Sequence, residues 1–412
     1  MISEELARLR RVAERPGRHR IARLIEPLAA TAWWRRLDAI KITGSNGKGS
    51  VATMTTEILR AAGVRVGLTI SPHVVDFGER MQVDGIPASP ATLERAFARL
   101  DPRLRPPHAD PDDPPTTFEA TTALAAQVFA QAEVETVVAE AGIGGRNDAT
   151  GVFPGSDTAL VSVDLEHTAI LGSTLAEIAL DKADLAPEGS TLVVGRLPAE
   201  VVRVVTEHCV GRRRIALVPA GFGSLPVGAC PFPGAHQRAN ARLAATLARR
   251  WLTRHRPALD RGAIVEAIRT GLAATRLPLR FEKVADDPPV WIDSAHTRDA
   301  VTGLVDTACK LIDRPILLVA GLSVDKQPQV LDPLIDVVAR VVLTRAAERG
   351  GSPAPLLQRC GERGRIVEPA ARAIELAVDE AARDGLAVLV AGGVLLAREI
   401  RSALLDARRS PA

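Results

Sequence analysis

The chain has 412 residues, room for two or three domains at about 150 residues each, with ample core. Its 52 Lys plus Arg nearly balance 49 Asp plus Glu, a formal charge of +3, which gives no reason to expect a nucleic-acid or membrane partner. Aromatic residues make up 3% and tyrosine is absent, so a stacking platform for single strands is not expected. Cys209, Cys230, Cys309 and Cys360 are scattered without paired spacing, which supports neither a zinc site nor a disulfide framework and fits a reducing compartment. Residues 1–20 are arginine-rich and lack an apolar signal core, and no apolar run is long enough to span a bilayer. The expectation is a soluble cytoplasmic protein.

In chain order, residues 3–12 and 18–30 carry apolar positions at helical spacing, separated by Pro16-Gly17. Ala39, Ile40 and Ile42 then read as a buried strand. It runs into Gly44-Ser45-Asn46-Gly47-Lys48-Gly49-Ser50 and a helical pattern from Lys48 to Ala62, closed by Gly63. A glycine-rich turn between a strand and a helix presents backbone N–H groups and the positive helix end to an anion. Lys48 adds a point charge for the β/γ-phosphates. Only two residues separate Gly44 from Gly47, and Gly49 stands where the common phosphate-loop pattern has Ser or Thr, so the metal-binding hydroxyl falls to Ser50. ATP is the favoured ligand, with a purely structural turn as the alternative.

Val64–Ile70 predicts a second strand running into Ser71-Pro72-His73. Ligands of open α/β sheets bind at the carboxyl ends of strands, so Ser71 and His73 are functional candidates, a simple Ser-Pro turn being the other reading. The polar Glu79-Arg80 segment has no further account at this level. Pro102 to Pro115 reads as an exposed loop, followed by a helix from about Thr117 with Phe118 and Glu119 in its first turn. Thr136–Ala139 predicts a strand ending in Glu140, and the glycine loop Gly142 to Asp148 follows. A carboxylate there is well placed to hold a metal beside a phosphate. A further strand, Ala159–Val163, leads to Asp164, Glu166 and His167. The helix STLAEIALDKA starts at Ser173 or Thr174, with Glu177 completing a capping box. By itself, Lys182 near its end complements the helix dipole, and a lone His167 reads as structural.

Residues 191–195 predict another strand. Pro231-Phe232-Pro233-Gly234-Ala235-His236-Gln237 precedes an alanine-rich helix containing Asn240, and Gly262–Leu272 predicts a second helix. Leu277-Pro278-Leu279-Arg280 looks like a linker. Strands at Val290–Ile292, Pro315–Val319, Arg340–Leu343 and Leu386–Val390 then alternate with helices, predicting a second, mostly parallel βα domain.

Taken together, TGSNGKGS, SPHVVDFGERMQVDG, FEATTALA, EAGIGGRNDAT, EHTAILGSTLAEIALDKA, GAHQRANARLA, LRFEKV and WIDSAHTRDA follow the order of motifs in folylpolyglutamate synthases and dihydrofolate synthases. The chain resembles this family of the Mur ligase superfamily along nearly its whole length. The resemblance implies an α/β protein with an ATP-binding P-loop domain over 1–279 and a Rossmann-like domain over 280–412, the active site lying in the cleft between them. It implies ATP, two Mg²⁺ sites, L-glutamate and dihydropteroate or a folate, in a monomer. An acceptor carboxylate would attack the γ-phosphate to give an acyl phosphate, which the amine of glutamate then opens.

Residue by residue, the resemblance implies that Gly44 to Ser50 cradle the phosphates with Lys48. Ser50, Ser71 and Glu140 would hold the first metal and His167 the second. Lys182 matches a lysine that the family often carboxylates with CO₂, making it an oxygen ligand. His236, Gln237 and Asn240 match a motif near the nucleotide, and Arg280 would reach the phosphates. Asp293 and His296 match the D-x-A-H motif that closes over ATP and the amino acid. His73, Arg80, Phe118, Arg146 and Asp148 are the substrate-side candidates, Phe118 facing the pterin.

Departures concentrate on the acceptor and amino-acid side. Asn147 stands where a bulky apolar residue is usual, Glu166 where Asp is usual, and Ala183-Asp184 where Ala-Gly is usual. Leu279 replaces a glycine, and Thr297-Arg298 replaces Asn-Pro. A related ligase joining a different carboxylate and amine is therefore the competing expectation, with a catalytically silent nucleotide-binding protein as a third.

Overall fold

The computed structural model describes residues 2–9, 17–105, 108–211, 217–219 and 230–409. The chain divides into two compact units, Met1–Pro231 with Ala239–Arg276 and Phe232–Arg238 with Leu277–Ala412. Among the described residues no helix is long and apolar enough to cross a membrane.

The first unit is built on β1 (Ile40–Thr43), β2 (Val66–Thr69), β3 (Met81–Val83), β4 (Ile86–Pro87), β5 (Thr136–Glu140), β6 (Asp157–Leu160), β7 (Thr191–Val194) and β8 (Leu217–Pro219). Their order across the sheet is β4-β3-β2-β5-β1-β6-β7-β8. The β4-β3-β2 edge is antiparallel and the remaining pairings are parallel. Strands β1, β2, β5 and β6 are buried at every position, as apolar strands covered on both faces by helices must be. Because β2, β5, β1 and β6 are adjacent and parallel, the four loops leaving their carboxyl ends emerge along one edge. That edge carries Ser71, Glu140, the Gly44–Ser50 loop and the Ser162–His167 segment. The helix Lys48–Ala61 packs on Arg261–Ala274, where a Cβ on Gly271 would lie 2.4 Å from the Ile58 Cα, so only glycine permits the approach.

The second unit contains β9 (Glu282–Asp286), β10 (Pro289–Ile292), β11 (Ile316–Ala320), β12 (Arg340–Leu343), β13 (Gly364–Ile366) and β14 (Ala387–Ala391), in the order β13-β12-β11-β14-β10-β9. Only β9 runs antiparallel. Val301, Leu304, Leu318, Leu334, Val341 and Leu389 form part of its core.

Several expectations shift. The strand expected at Ala159–Val163 spans Asp157–Leu160, which leaves Ser162 in the edge loop. The hairpin β3–β4 turns at Asp84-Gly85, a dipeptide that the sequence reading passed over. Strands β8, β9 and β13 are likewise additional. The first helix spans Ile2–Ala7 rather than 3–12, and residues 10–12 of that expectation lie outside the described residues. The Pro102–Pro115 segment is not simply exposed: Asp113 is 5% accessible because Arg20 binds its carboxylate.

Candidate active site

The phosphate loop begins where β1 ends, and the β6 loop laces it in place. Ser45 N–H donates to the Ser162 carbonyl at 2.9 Å. The Ser162 hydroxyl accepts from Asn46 N–H at 2.8 Å and donates to the Asn46 carbonyl at 3.0 Å. Asp164 N–H donates to the Ser45 hydroxyl at 2.9 Å. Gly47 takes φ +82° at the helix N-cap, and a Cβ there would lie 2.9 Å from the Asn240 amide, so Asn240 roofs the loop at its tightest point. Lys48 Nζ donates to the carbonyls of Gly44 at 2.8 Å and Ser45 at 3.2 Å, folding back over the loop.

Ser50, one residue behind Gly49 in the first helical turn, is fully buried and its hydroxyl has no hydrogen-bond partner. A buried unpaired hydroxyl beside a phosphate loop is what a hard cation would engage. Glu140 ends β5, and one of its oxygens accepts from Ser71 N–H at 2.8 Å, which brings the ends of β2 and β5 together. Among the described residues no three His, Cys, Asp or Glu converge as a metal cage. The donor set Ser50, Ser71 and Glu140 fits Mg²⁺, which takes few protein ligands and fills its sphere with water and substrate phosphate oxygens.

Lys182 is the penultimate residue of the Leu175–Ala183 helix, has its side chain buried, and donates to Glu166 at 2.8 Å. Burial opposes a charge on Glu166, but Lys48 and Lys182 override it and hold the carboxyl at about 2. Burial and the neighbouring Lys48 push the Lys182 amine down, against the pull of Glu166. Glu166 is therefore a counter-ion shared by Lys48 and Lys182, a role missed in the sequence because only the fold brings Lys48 to it. His167 takes φ +47° and N-caps the short Thr168–Leu171 helix.

Among the candidates for the substrate side, Arg80 Nε donates to His73 Nδ1 at 2.8 Å and its guanidinium lies over the Phe77 ring. Glu79, unexplained in the sequence, accepts from the N–H groups of Val74, Val75 and Asp76 and so shapes this loop. Phe118 lies against Gly142, where a Cβ would come within 2.9 Å of its ring. Asp148 is turned inward: its oxygens accept from Gly142, Ile143 and Thr150 and close their own loop, while burial pushes its carboxyl up. Arg146 donates to Asp184 at 2.8 Å, and His208 meets the other Asp184 oxygen at 2.7 Å.

In the second unit Asp293 is a loop brace, accepting from Phe281 and Ala295 N–H at 2.8 Å each, and burial pushes its carboxyl up. Arg280 donates to the Ser294 hydroxyl and to the Leu279 carbonyl. His296 Nδ1 meets the Ser294 carbonyl at 2.8 Å. Burial keeps His236 below an ordinary imidazole despite the pull of Asp293 and Asp299. Gln237 is buried beside it in sequence.

A family model described as "Mur ligase, glutamate ligase domain" matches residues 279–394. The chain is 34% identical to a protein of Halobacterium salinarum named as a probable bifunctional folylpolyglutamate synthase/dihydropteroate synthase, over 96% of this chain and 50% of that one. It thus spans about half the length of the haloarchaeal relatives it matches. It is 30% identical to the folylpolyglutamate synthase of Lacticaseibacillus casei over 90% of both chains. A solved bifunctional folylpolyglutamate synthase/dihydrofolate synthase with Mn, AMPPNP and L-glutamate bound superposes with a TM-score of 0.80 at 27% identity, covering 97% of this chain and 96% of that one. With similarity sustained along the length of the L. casei enzyme and over the same two α/β sheets, the chain belongs to the folylpolyglutamate synthase/dihydrofolate synthase family of Mur ligases.

Proposed function

We propose that the protein is an ATP-dependent amide ligase that joins L-glutamate to dihydropteroate, to a folate, or to both. The observation that carries this reading is the single sheet edge where the phosphate loop, the unpaired Ser50 hydroxyl and Glu140 sit beside the buried Lys182–Glu166 pair. That combination supports phosphoryl transfer to a carboxylate. A simple nucleotide-binding module has no need of the lysine pair.

In this mechanism the backbone N–H groups of residues 44–50 and Lys48 hold the triphosphate, and Lys48 leaves its loop carbonyls for the β/γ oxygens. Ser50, Ser71 and Glu140 would hold Mg²⁺, which when bound would supply charge neutralisation for the phosphoryl group in transfer. An acceptor carboxylate oxygen attacks the γ-phosphorus, the bond to the β-phosphate oxygen breaks and ADP leaves. The glutamate amine then attacks the acyl carbon, inorganic phosphate departs and the amine loses its proton. Positioning and charge neutralisation are the main contributions of the protein. His73, Arg80, Phe118 and Arg146 serve the acceptor, whereas Arg280, Asp293 and His296, with His236, Gln237 and Asn240, serve nucleotide and amino acid. We include carboxylation of Lys182 with a second Mg²⁺ near His167. The modification would set an anion against Glu166, and a bound cation would offset that repulsion.

The test is product formation from Mg²⁺, ATP and L-glutamate with dihydropteroate or tetrahydrofolate in separate reactions, read by mass spectrometry. A gain of one glutamate on dihydropteroate establishes dihydrofolate synthase, and a gain on tetrahydrofolate establishes the polyglutamylating step. ATP binding with neither product overturns the folate reading and points to another carboxylate and amine.

A further inference from the structure

A buried charge cluster lies outside the machinery described above. Arg20, in the His19–Ala29 helix, has a side chain 3% exposed and meets two carboxylates. Its Nε donates to both oxygens of Glu119, at 3.1 and 3.0 Å, and its Nη1 to both oxygens of Asp113 at 3.1 Å. Nη2 also donates to the Gly17 carbonyl at 3.2 Å. His19 covers the rim, its Nε2 2.6 Å from Asp113.

Glu119 is the third residue of the Thr117–Gln131 helix and half of its capping box: it accepts from Thr116 N–H at 2.8 Å while Thr116 Oγ1 accepts from Glu119 N–H. The first turn is thus fixed from inside by the cap and from outside by the Arg20 fork. Phe118 is the residue between them. Its ring faces Gly142, whose N–H is fixed by Asp148 at 2.8 Å. Gly142 in turn lies two residues past Glu140. A rotation of the first helical turn would swing the ring toward or away from Gly142, which has no side chain to stop it.

We propose that Arg20 is a positioning residue for the acceptor: through Glu119 it sets the helix turn that holds the Phe118 ring over Gly142, and so determines affinity for a flat heteroaromatic acceptor. The proposal rests on the functional reading given above. A lysine carries the charge but not the planar fork, and one ammonium does not hold both carboxylates in this geometry.

The experiment compares wild type, Arg20→Lys, Phe118→Leu and the double variant with whichever acceptor the wild type uses. KM is measured separately for acceptor and ATP, with ADP affinity as the folding control. Arg20→Lys is expected to raise the acceptor KM about tenfold and to leave the ATP KM within about twofold. Phe118→Leu should do the same, and the double variant should be no worse than about twofold beyond either single one, because both act on one ring. An unchanged acceptor KM in Arg20→Lys, or effects that multiply in the double variant, overturns the proposal. No turnover by the wild type on either acceptor overturns the functional reading, and the proposal with it. If Arg20→Lys fails to bind ADP, Glu119→Gln, which keeps the capping hydrogen bonds, is judged by the same outcomes.

Discussion

Lys182 donates to Glu166 across 2.8 Å with 1% of the lysine side chain and 7% of the glutamate side chain exposed. In the uncarboxylated protein, Glu166→Gln keeps the shape and leaves a buried ammonium without its counter-ion, which costs about 3–5 kcal/mol. Glu166 is depressed from 4.5 to about 2, so its contribution is complete above its ordinary value and is lost as pH falls from there through 2. Denaturation of both proteins between pH 6 and about 2 should show a gap that closes toward the acid end. A gap independent of pH would remove the charge from the explanation.

Lys48→Ala and Glu140→Ala are expected to lower turnover on the order of 10³-fold or more, since charge neutralisation is most of phosphoryl-transfer catalysis. In Glu140→Ala the residual rate should require more Mg²⁺. Initial rates across an Mg²⁺ titration check both. Activity retained in the two variants would sink the assignment of this edge as the ATP site.

Lys182→Ala should be severely impaired and partly rescued by short-chain carboxylates, which can occupy the volume and supply the oxygen ligands. Rates with and without added acetate or formate decide it. Wild-type-like turnover in the unrescued variant removes Lys182 from the site.

Ser162 is the hook between phosphate loop and β6. Removing its hydroxyl leaves the Asn46 N–H and carbonyl without these contacts. Ser162→Ala should raise the ATP KM about fivefold to tenfold, the equivalent of one or two hydrogen bonds, with the acceptor KM unchanged. Equal changes in both would mean a general loosening of the unit instead.

Lys41 lies on β1, fully buried, donating to the Phe153 carbonyl at 3.3 Å. Burial, helped by Arg18, lowers its amine from 10.5 to about 7. The unfolded chain binds this proton more tightly than the folded one, so the penalty is complete below about 7 and is relieved as pH rises toward 10.5. Lys41→Met should raise the melting temperature near neutral pH, against a penalty on the order of 4 kcal/mol, and flatten the alkaline rise in stability. A lower melting temperature in the variant would show that the Phe153 contact outweighs the buried charge.

Glycines before a helix, apolar runs with β-branched residues, and the Thr174–Glu177 capping box are interactions within a few residues. The sequence by itself therefore determined two βα units, the phosphate loop and the strand ends where Ser71 and Glu140 sit. The family motifs, read in order, determined the chemistry to be sought. The hydrogen bonds of Ser162 to Asn46 and of Arg20 to Glu119 join residues 116 and 99 positions apart, and no local pattern announces them. The sequence shows Glu166 only as the residue before His167, standing where Asp is usual; the fold sets Lys182 against it and brings Lys48 near. Asp148 and Asp293 show a task that the motifs do not announce: their carboxylates accept from backbone N–H groups and brace their own loops. Strand order and the burial of Lys41 were decided there too. Pairing across a sheet and removal from water depend on what packs alongside, which periodicity along one chain does not encode.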